Sequence, residues 1–477
     1  MALTWRVGAL AALGALLVGF AIPDWTGIFL VLGMLFAGVC ADLFLAGPVR
    51  ELTLARSGDT AVRLGEPAHV SLLIANPSGR SVRALVRDAW PPSAGLQPVA
   101  ASRPRSTRNA DPTLIHPRHR LAIPAGERRR VESVLVPTRR GDRHALNVTI
   151  RSFGPLGLAA RQGTHKVPWR VRALPPFTSR KHLPSRLARL RELDGRTSVL
   201  VRGQGTEFDS LRDYVAGDDI RSIDWRATAR RHLGDHYSVV VRTWRPERDR
   251  HILIVLDTGR TAAGRVGDID GTGPASAAGT GSAAVGGTGT DGIRLDAAMD
   301  AALLLTALAV RAGDRVDLLA HDRRIRAFIA RSAPAQTLSR FTDAMAVLEP
   351  ELVELDARSL VTAILKRAPH RSLVVLLTSL DSAPMSEGLL PVIGRLTRRH
   401  EVVVASVGDP RIEEMARGRS TATAVYEAAS AERAKADRRQ VADLLGKHRV
   451  TVVDAPPGEI APALADAYLA LKAAGRL

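Results

Sequence analysis

Four short runs in the second half of the chain constrain the fold more than anything else: HILIVLD (251–257), LVVLLTS (373–379), VVVASV (402–407) and VTVVD (450–454). Each is almost continuously apolar rather than alternating, and each is bounded by turn-forming or charged residues. A strand solvated on one face alternates; a strand covered on both faces does not, so these runs belong to a parallel sheet. The segments between them are of helix length, for example DAAMDAALLLTALAVRAG (296–313), with two further strand-like runs at RVDLLAH (315–321) and IRAFIA (325–330). Strands alternating with helices predict a doubly wound α/β domain over residues 251–477. Inside it, residues 262–292 are about a third glycine and read as a flexible insertion that has too little apolar surface to order itself.

The amino-terminal end has a different pattern. Val7 to Ile22 is apolar or small throughout, and Ile28 to Ala41 forms a second run that continues past Asp42 through Leu45. Each run is a transmembrane helix candidate near the short limit, with Trp5 and Trp25 at interfacial positions. The connection PDWTG permits only a tight hairpin, so residues 1–47 are expected to be a retained hairpin of two spans. Arg6 precedes the first span and Arg50, Arg56 and Arg63 follow the second, while the connection has Asp24 and no Lys or Arg. The positive-inside rule then places both termini and the soluble domains in the cytoplasm, at the plasma (inner) membrane. A cleaved signal peptide would need a small-x-small site, and GFAIPDWTG offers none. Cys40, the single cysteine, excludes an internal disulfide framework, and Val39 before it does not suit a lipid-modified cysteine. Ala11, Ala15 and Gly19, four apart, mark a face on which two helices would approach closely.

Residues 50–176 show short alternating runs broken by Pro and Gly, such as HVSLLIA, SVRALVRDAWPP and HALNVTIRSF, which predict an immunoglobulin-like β-sandwich. Ser102 to Arg120 reads as a long basic loop. Residues 177–250 then carry a linker helix at SRLARLREL and a charged block from Gly203 to His232, GQGTEFDSLRDYVAGDDIRSIDWRATARRH. In that block Gly203 and Gly205 suit a turn. Phe208, Leu211 and Val215 have helical spacing that Gly217 would end, and Asp218 or Asp219 would cap a second short helix burying Ile220, Ile223 or Trp225. Glu207, Asp209, Arg212, Asp213, Arg221, Asp224 and Arg226 are placed for reciprocal ion pairs. Exposed pairs contribute only about a kcal/mol or less each, so the block reads either as a locally paired junction or as a recognition surface.

This block, followed closely by ILIVLDTGRT, resembles the signature of the domain-of-unknown-function 58 family, whose members are bacterial and archaeal proteins commonly anchored by two N-terminal helices. The resemblance rests on Gly205, Glu207, Asp209, Arg212, Tyr214, Gly217, Asp218, Asp219, Arg221, Asp224 and Trp225. It extends more loosely through RRGDRHALNVTIRSFGPLGL, SLVVLLTSLD and the tail after VVDAPPGEI. It implies that the α/β part is similar to von Willebrand factor type A domains. These bind partners through a metal-ion-dependent adhesion site, with D-x-S-x-S after the first strand and a Thr and an Asp from later loops. Here DTGRT supplies Asp257 and Thr261, Gly259 stands where a hydroxyl is expected, and Asp381 falls where the last acid belongs. The intervening Thr has no counterpart; ELDARSL offers Asp356, Arg358 and Ser359. The implied cofactor is Mg2+ on a degenerate site, with Arg260 and Arg358 as candidates to replace the cation electrostatically. An acid that caps a loop at a strand end is the other account of Asp257.

The resemblance further implies a non-enzymatic, membrane-anchored interaction or adaptor protein whose companion is a MoxR-type AAA+ ATPase engaged in protein assembly or remodelling. Two other readings compete with it. A metal-dependent hydrolase would use Asp257 and Asp381, but no Gly-x-Ser-x-Gly elbow, Walker loop or HExxH is present. The net charge of +19, from 67 Lys and Arg against 48 Asp and Glu, raises nucleic-acid binding; with 4% aromatics and no stacking-and-basic motif, none is expected.

Overall fold

A computed structural model describes residues 2–21, 24–97, 118–200, 207–216, 218–230, 239–245, 250–267, 292–330 and 332–477. Their side chains are included except at 21, 194–200, 207–210 and 243–245. The chain divides into two compact units, Met1–Pro175 and Pro176–Leu477.

The first unit opens with a two-residue strand β1 (Ala2–Leu3) and two helices, α1 (Trp5–Ala21) and α2 (Trp25–Leu45). Among the described residues α2 alone is long and apolar enough to cross a membrane, with mean hydropathy 2.4. Its 21 residues span about 32 Å at 1.5 Å per residue, close to the hydrocarbon thickness of a bilayer. The shorter α1 is apolar as well. The close approach between the two helices is at Gly14, where a Cβ would fall 2.4 Å from Val31 Cγ1; Gly19, on the expected small-residue face, has open space beside it.

Eleven more strands complete this unit: β2 (Thr53–Gly58), β3 (Ala61–Arg63), β4 (Ala68–Ala75), β5 (Val82–Asp88), β6 (Leu96–Gln97), β7 (Arg118–Ile123), β8 (Arg128–Leu135), β9 (Gly141–His144), β10 (Val148–Phe153), β11 (Ala159–His165) and β12 (Arg170–Leu174). They form sheets of order β1-β11-β10-β5-β7, β2-β4-β8-β6 and β3-β12-β9. Alternation does what it should: β10 buries Val148, Ile150 and Ser152 and leaves the residues between them partly exposed. Leu72, Ile74 and Val131 from the four-stranded sheet meet Val82, Val86, Ile123, Val148 and Ile150 from the five-stranded one in a single buried cluster. The sheet-rich unit is thus a sandwich. Residues 118–120 of the expected basic loop belong to β7, and the remainder of that loop lies outside the described residues.

Two groups lock this unit. Arg56 is buried, ion-paired with Asp88 and donating to the Val167 carbonyl, and its guanidinium lies 5.5 Å from the Trp90 ring centroid. Asp88 also accepts from Trp90 Nε1 at 3.1 Å. The second group is Asp42, fully buried near the end of α2. Its carboxylate accepts the backbone N–H groups of Leu156 (2.8 Å), Leu158 (2.6 Å) and Ala159 (2.8 Å), so one side chain satisfies a whole turn of the Gly154–Ala159 loop. The start of α1 holds the same loop: Thr4 Oγ1 donates to Gly157 O at 2.7 Å, Arg6 donates to Leu156 O at 3.1 Å, and Ala2 and Leu3 pair with Ala160 and Ala159.

The second unit begins with α3 (Leu183–Leu200) and a ribbon of β13 (Glu207–Asp213) against β14 (Val240–Arg245), with the six-residue α4 (Trp225–Arg230) between them. Next come β15 (His251–Asp257), a small hairpin of β16 (Arg265–Val266) and β17 (Gly292–Ile293), α5 (Arg294–Arg311), β18 (Arg315–His321), β19 (Ile325–Ile329), α6 (Pro334–Ala346) and α7 (Ala357–Arg367). The chain ends with β20 (Leu373–Leu377), α8 (Leu390–Thr397), β21 (Glu401–Val407), α9 (Pro410–Arg417), α10 (Ala422–Lys447), β22 (Thr451–Ala455) and α11 (Ile460–Ala473).

The main sheet has the order β19-β18-β15-β20-β21-β22, parallel except for the antiparallel edge strand β19. Along β15, Ile252, Ile254 and Leu256 enter one core with α5 and α11, while Leu253 and Val255 enter a second core with α7 and α8. Burial on both faces is what the continuous apolar runs predicted. The glycine-rich insertion is narrower than expected. Residues 262–267 and 292 are built into a 3-10 turn and the β16–β17 hairpin, where Val266 is buried, and 268–291 lie outside the described residues.

Candidate functional site

Strand register brings polar residues into one row at the carboxyl edge of the main sheet. Asp257 pairs with His321. Leu256 pairs with Leu377, so the next residues, Asp257 and Thr378, are neighbours; Leu377 pairs with Ala405, which sets Thr378 beside Ser406, and Ser406 pairs with Asp454. The strand order reverses between β15 and β20, the position at which open α/β sheets form a crevice.

Asp257 is at that position, and its oxygens are taken. Oδ1 accepts Gly259 N–H at 2.8 Å, while Oδ2 accepts the hydroxyls of Thr261 at 2.9 Å and Thr378 at 2.7 Å. Burial pushes its carboxyl above the ordinary aspartate range, against the opposing pull of those three donors. Gly259 is required sterically: a Cβ there would meet the Val353 carbonyl oxygen at 2.8 Å. The hydroxyl missing from the D-x-S-x-S pattern has therefore been exchanged for a close backbone approach.

Asp381 stays outside this cluster. Arg294, the first residue of α5, donates to it at 3.4 Å and to Thr261 O at 3.0 Å, and Arg438 approaches it at 3.9 Å. Arg438 also binds Ser406 Oγ at 2.9 Å and Asp454 at 2.5 Å. The cavity beside Asp257 is lined by Thr378, Ser379, Arg294 and apolar side chains, and at about 10 Å3 it has room for one water molecule. Ser379 Oγ and Arg294 Nε are buried there without hydrogen-bond partners.

The side chains as arranged do not fit Mg2+. Gly259 supplies no side-chain oxygen, Asp381 stands apart from Asp257, and the Arg294 guanidinium lies between Thr261 and Asp381, where it brings a positive charge. Among the described residues no three His, Cys, Asp or Glu side chains converge as a metal site. The arginine placed between Thr261 and Asp381 is Arg294; Arg260 and Arg358 lie elsewhere. Arg260 is exposed and paired with Glu354 at 2.5 Å, and Arg358 is exposed on α7. Asp356 caps α7 by accepting Ser359 N–H, and Ser359 Oγ reaches His321 Nε2 at 3.3 Å.

The charged block differs most from its sequence pattern. TEFDSLRDY, expected as a helix, is a strand over Glu207–Asp213. It is paired antiparallel with β14, and its register shifts between Phe208 and Ser210, which makes Asp209 the bulged residue. Cross-strand hydrogen bonding from a distant segment has overridden a local helical spacing. After it, Asp218 accepts Val215 N–H and pairs with Arg212 at 2.5 Å; Asp219 accepts Arg221 N–H; and Asp224 starts α4 by accepting Arg226 and Ala227 N–H, each at 3.0 Å. The guanidinium on Asp224 comes from Arg242, outside the block, at 2.7 Å. Of the three candidates for burial, Ile223 is half-buried and bridged to Val241, while Trp225 is 66% exposed and Ile220 69%, with Val215, Leu211 and Tyr214 exposed beside them in sequence. Glu207 is on the strand; Gly205 and Gly217 lie outside the described residues.

Residues 210–268 and 277–443 match the family described as "Protein of unknown function DUF58". Over that region the chain is similar to the DUF58 family. That match takes in the exposed end of the charged block, Asp257 with its three donors, and the Arg294–Asp381–Arg438 bridge. No curated protein matches the chain. Solved structures found similar to this chain include the CARDB domain of a Pyrococcus furiosus protein solved with two metal ions (13% identity, 26% of this chain and 91% of that one, TM-score 0.17). Another is a β-glucosidase from Listeria innocua in complex with glucose (19%, 26% and 16%, TM-score 0.14), and a third is a GH20 exo-β-N-acetylglucosaminidase from Vibrio harveyi (9%, 70% and 58%, TM-score 0.17). At such TM-scores none of these bears on function.

Proposed function

We propose that this protein is a membrane-anchored, non-enzymatic interaction protein, with a von Willebrand factor A-like α/β domain that recruits a MoxR-type AAA+ ATPase to assemble or remodel other proteins. The observation that supports the reading is that Leu211, Val215, Ile220 and Trp225 are each exposed within one short segment that also carries the ion pairs Arg212–Asp218 and Arg242–Asp224. Large apolar side chains kept in water beside a fixed charge pattern serve contact with another protein better than they serve the stability of the chain.

A pull-down of the full chain from solubilised membranes tests this. The wild type should recover an AAA+ ATPase with or without Mg2+, and Ile220→Asp with Trp225→Ala should reduce recovery about tenfold or more, the loss of a two-residue hot spot. Equal recovery by that variant, or no ATPase with the wild type, would overturn the reading.

The membrane part of the proposal is that α1 joins α2 as a second span of an inner-membrane hairpin. At 17 residues α1 is at the short limit, yet its polar start holds the same loop as the end of α2, so the two helices act as one element. Arg50, Arg56 and Arg63 after α2 put the rest of the chain in the cytoplasm. A cytoplasm-only reporter fused after Leu477 should be active; activity of an export-dependent reporter there instead would sink this orientation.

A further inference from the structure

The amino edge of the main sheet carries a row of its own. His251 pairs with Arg315; Ile252 pairs with Leu373, which sets Ser372 beside His251; and Leu373 pairs with Glu401, which sets His400 beside Ser372. Here a cavity of about 180 Å3 opens, far larger than the one beside Asp257, lined by Arg250, His251, Arg371, Ser372 and Leu477 over the apolar floor of Ile252 and Leu373.

The donors around this cavity are fixed from behind. Asp317, buried, accepts from His251 Nε2 at 2.9 Å and from Arg315 at 3.1 Å. Burial raises its carboxyl, but the hydrogen bond and charge of His251 and the Arg315 guanidinium more than offset this and leave it below the ordinary range. The His251 ring is thereby oriented with Nδ1 2.9 Å from Ser372 Oγ, and Ser372 in turn donates to His370 O at 2.9 Å. Ser372, His251 and Asp317 have the spacing of a nucleophilic relay. The serine, however, is 4% exposed and tied to a carbonyl, so the relay holds groups in place and does not launch an attack.

The neighbouring acids are already taken. Glu401 pairs with Arg476 at 2.6 Å, and Asp314 is held by Lys472 and Tyr468. Among the described residues no carboxylate forms a salt bridge with Arg250 or Arg371, although the charge of Arg250 acts at longer range on Asp314, and Arg371 is positioned by a 3.1 Å bond to Arg476 O. The imidazole and the hydroxyl are committed to each other, to Asp317 and to His370 O, so the donors left to the cavity among the described residues are the guanidinium groups of Arg250 and Arg371.

We infer that this cavity is a binding site for a small tetrahedral oxyanion, inorganic phosphate or the phosphate group of a soluble monoester, clamped between Arg250 and Arg371. Planar forked donors match phosphate oxygens, and partial enclosure strengthens each charge-assisted bond.

The test is 31P NMR of inorganic phosphate with the full chain in neutral detergent, at constant ionic strength set by chloride. The phosphate resonance should broaden with the wild type and sharpen again on addition of sulfate or phenyl phosphate, while acetate at the same concentration should not displace it. Arg371→Gln and Arg250→Gln should each weaken binding about tenfold, the loss of one charge-assisted contact. Arg371→Lys, which keeps the charge, should fall between wild type and Arg371→Gln. Both arginines are on the surface of the unit, and an unchanged melting temperature without phosphate confirms that the variants fold. Absence of broadening, equal broadening by both glutamine variants, or displacement by acetate as efficient as by sulfate would overturn the assignment.

Discussion

Arg56→Ala is expected to destabilise the sheet-rich unit by about 3–5 kcal/mol, because it strands the Asp88 carboxylate in the sandwich interior without its cation. The Val167 carbonyl loses its donor at the same time, and Trp90, fully buried, loses the guanidinium above its ring. Urea titration followed by hydrogen exchange in β4 and β10, whose Leu72, Ile74, Val148 and Ile150 share the buried cluster, reads the effect where it falls. Arg56→Met combined with Asp88→Leu removes both charges and leaves apolar groups of similar reach. It should be more stable than either single change, since an absent buried pair costs far less than a broken one. If Arg56→Ala lowers stability by less than about 1 kcal/mol, or if the double variant is the least stable of the set, the pair does not have the role described.

The second large effect is expected at Asp42. Asp42→Ala leaves the buried N–H groups of Leu158 and Ala159, and the part-buried N–H of Leu156, without their acceptor, a loss of about 3 kcal/mol in the local opening of that loop. Amide exchange of residues 154–159 in the full chain should accelerate by about two orders of magnitude, as 1.4 kcal/mol is tenfold in an equilibrium constant. Asp42→Asn retains one acceptor oxygen and should lie between. Gly154→Ala should produce the same local opening by a different route, since a Cβ at that position would come within 2.0 Å of Asp42 Oδ1. Exchange at these amides that stays at the wild-type rate in Asp42→Ala would show that the carboxylate is dispensable to the loop.

The parts of the fold that were legible in the sequence are those where burial leaves a direct mark. Strands β15, β20, β21 and β22 are covered on two faces and so read as unbroken apolar runs; β5 and β10 are covered on one and read as alternation. The charged block was misread because Phe208, Leu211 and Val215 satisfy a helical period by accident. The ribbon that β13 forms with β14 is decided by hydrogen bonds to residues 240–245, which no local window contains. The exposure of Trp225 and Ile220 runs against their transfer free energies, and a departure of that kind is often a trace of function.

At the carboxyl edge, Asp257 and Thr261 were visible because one loop carries both. Thr378 was missed although it follows an obvious strand, since its place beside Asp257 depends on inter-strand register. Arg294 was missed because it lies beyond the glycine-rich insertion, at the start of a helix whose interior dominates its pattern. The two arginines expected in its place, Arg260 and Arg358, are on the surface.

The loop gripped by Asp42 carries one more implication. Thr4 and Arg6 at the beginning of the hairpin and Asp42 at its end all close on residues 154–159, and Arg161 adds a bond to Leu43 O at 2.8 Å. A domain joined to an anchor by a single peptide strand swings like a float on a line. This one is mounted at two points on the same bracket, so the sandwich cannot pivot about the hairpin without breaking bonds to both helices. Any pull or tilt imposed on the helices is therefore delivered directly to strands β10 and β11, which flank the bracket.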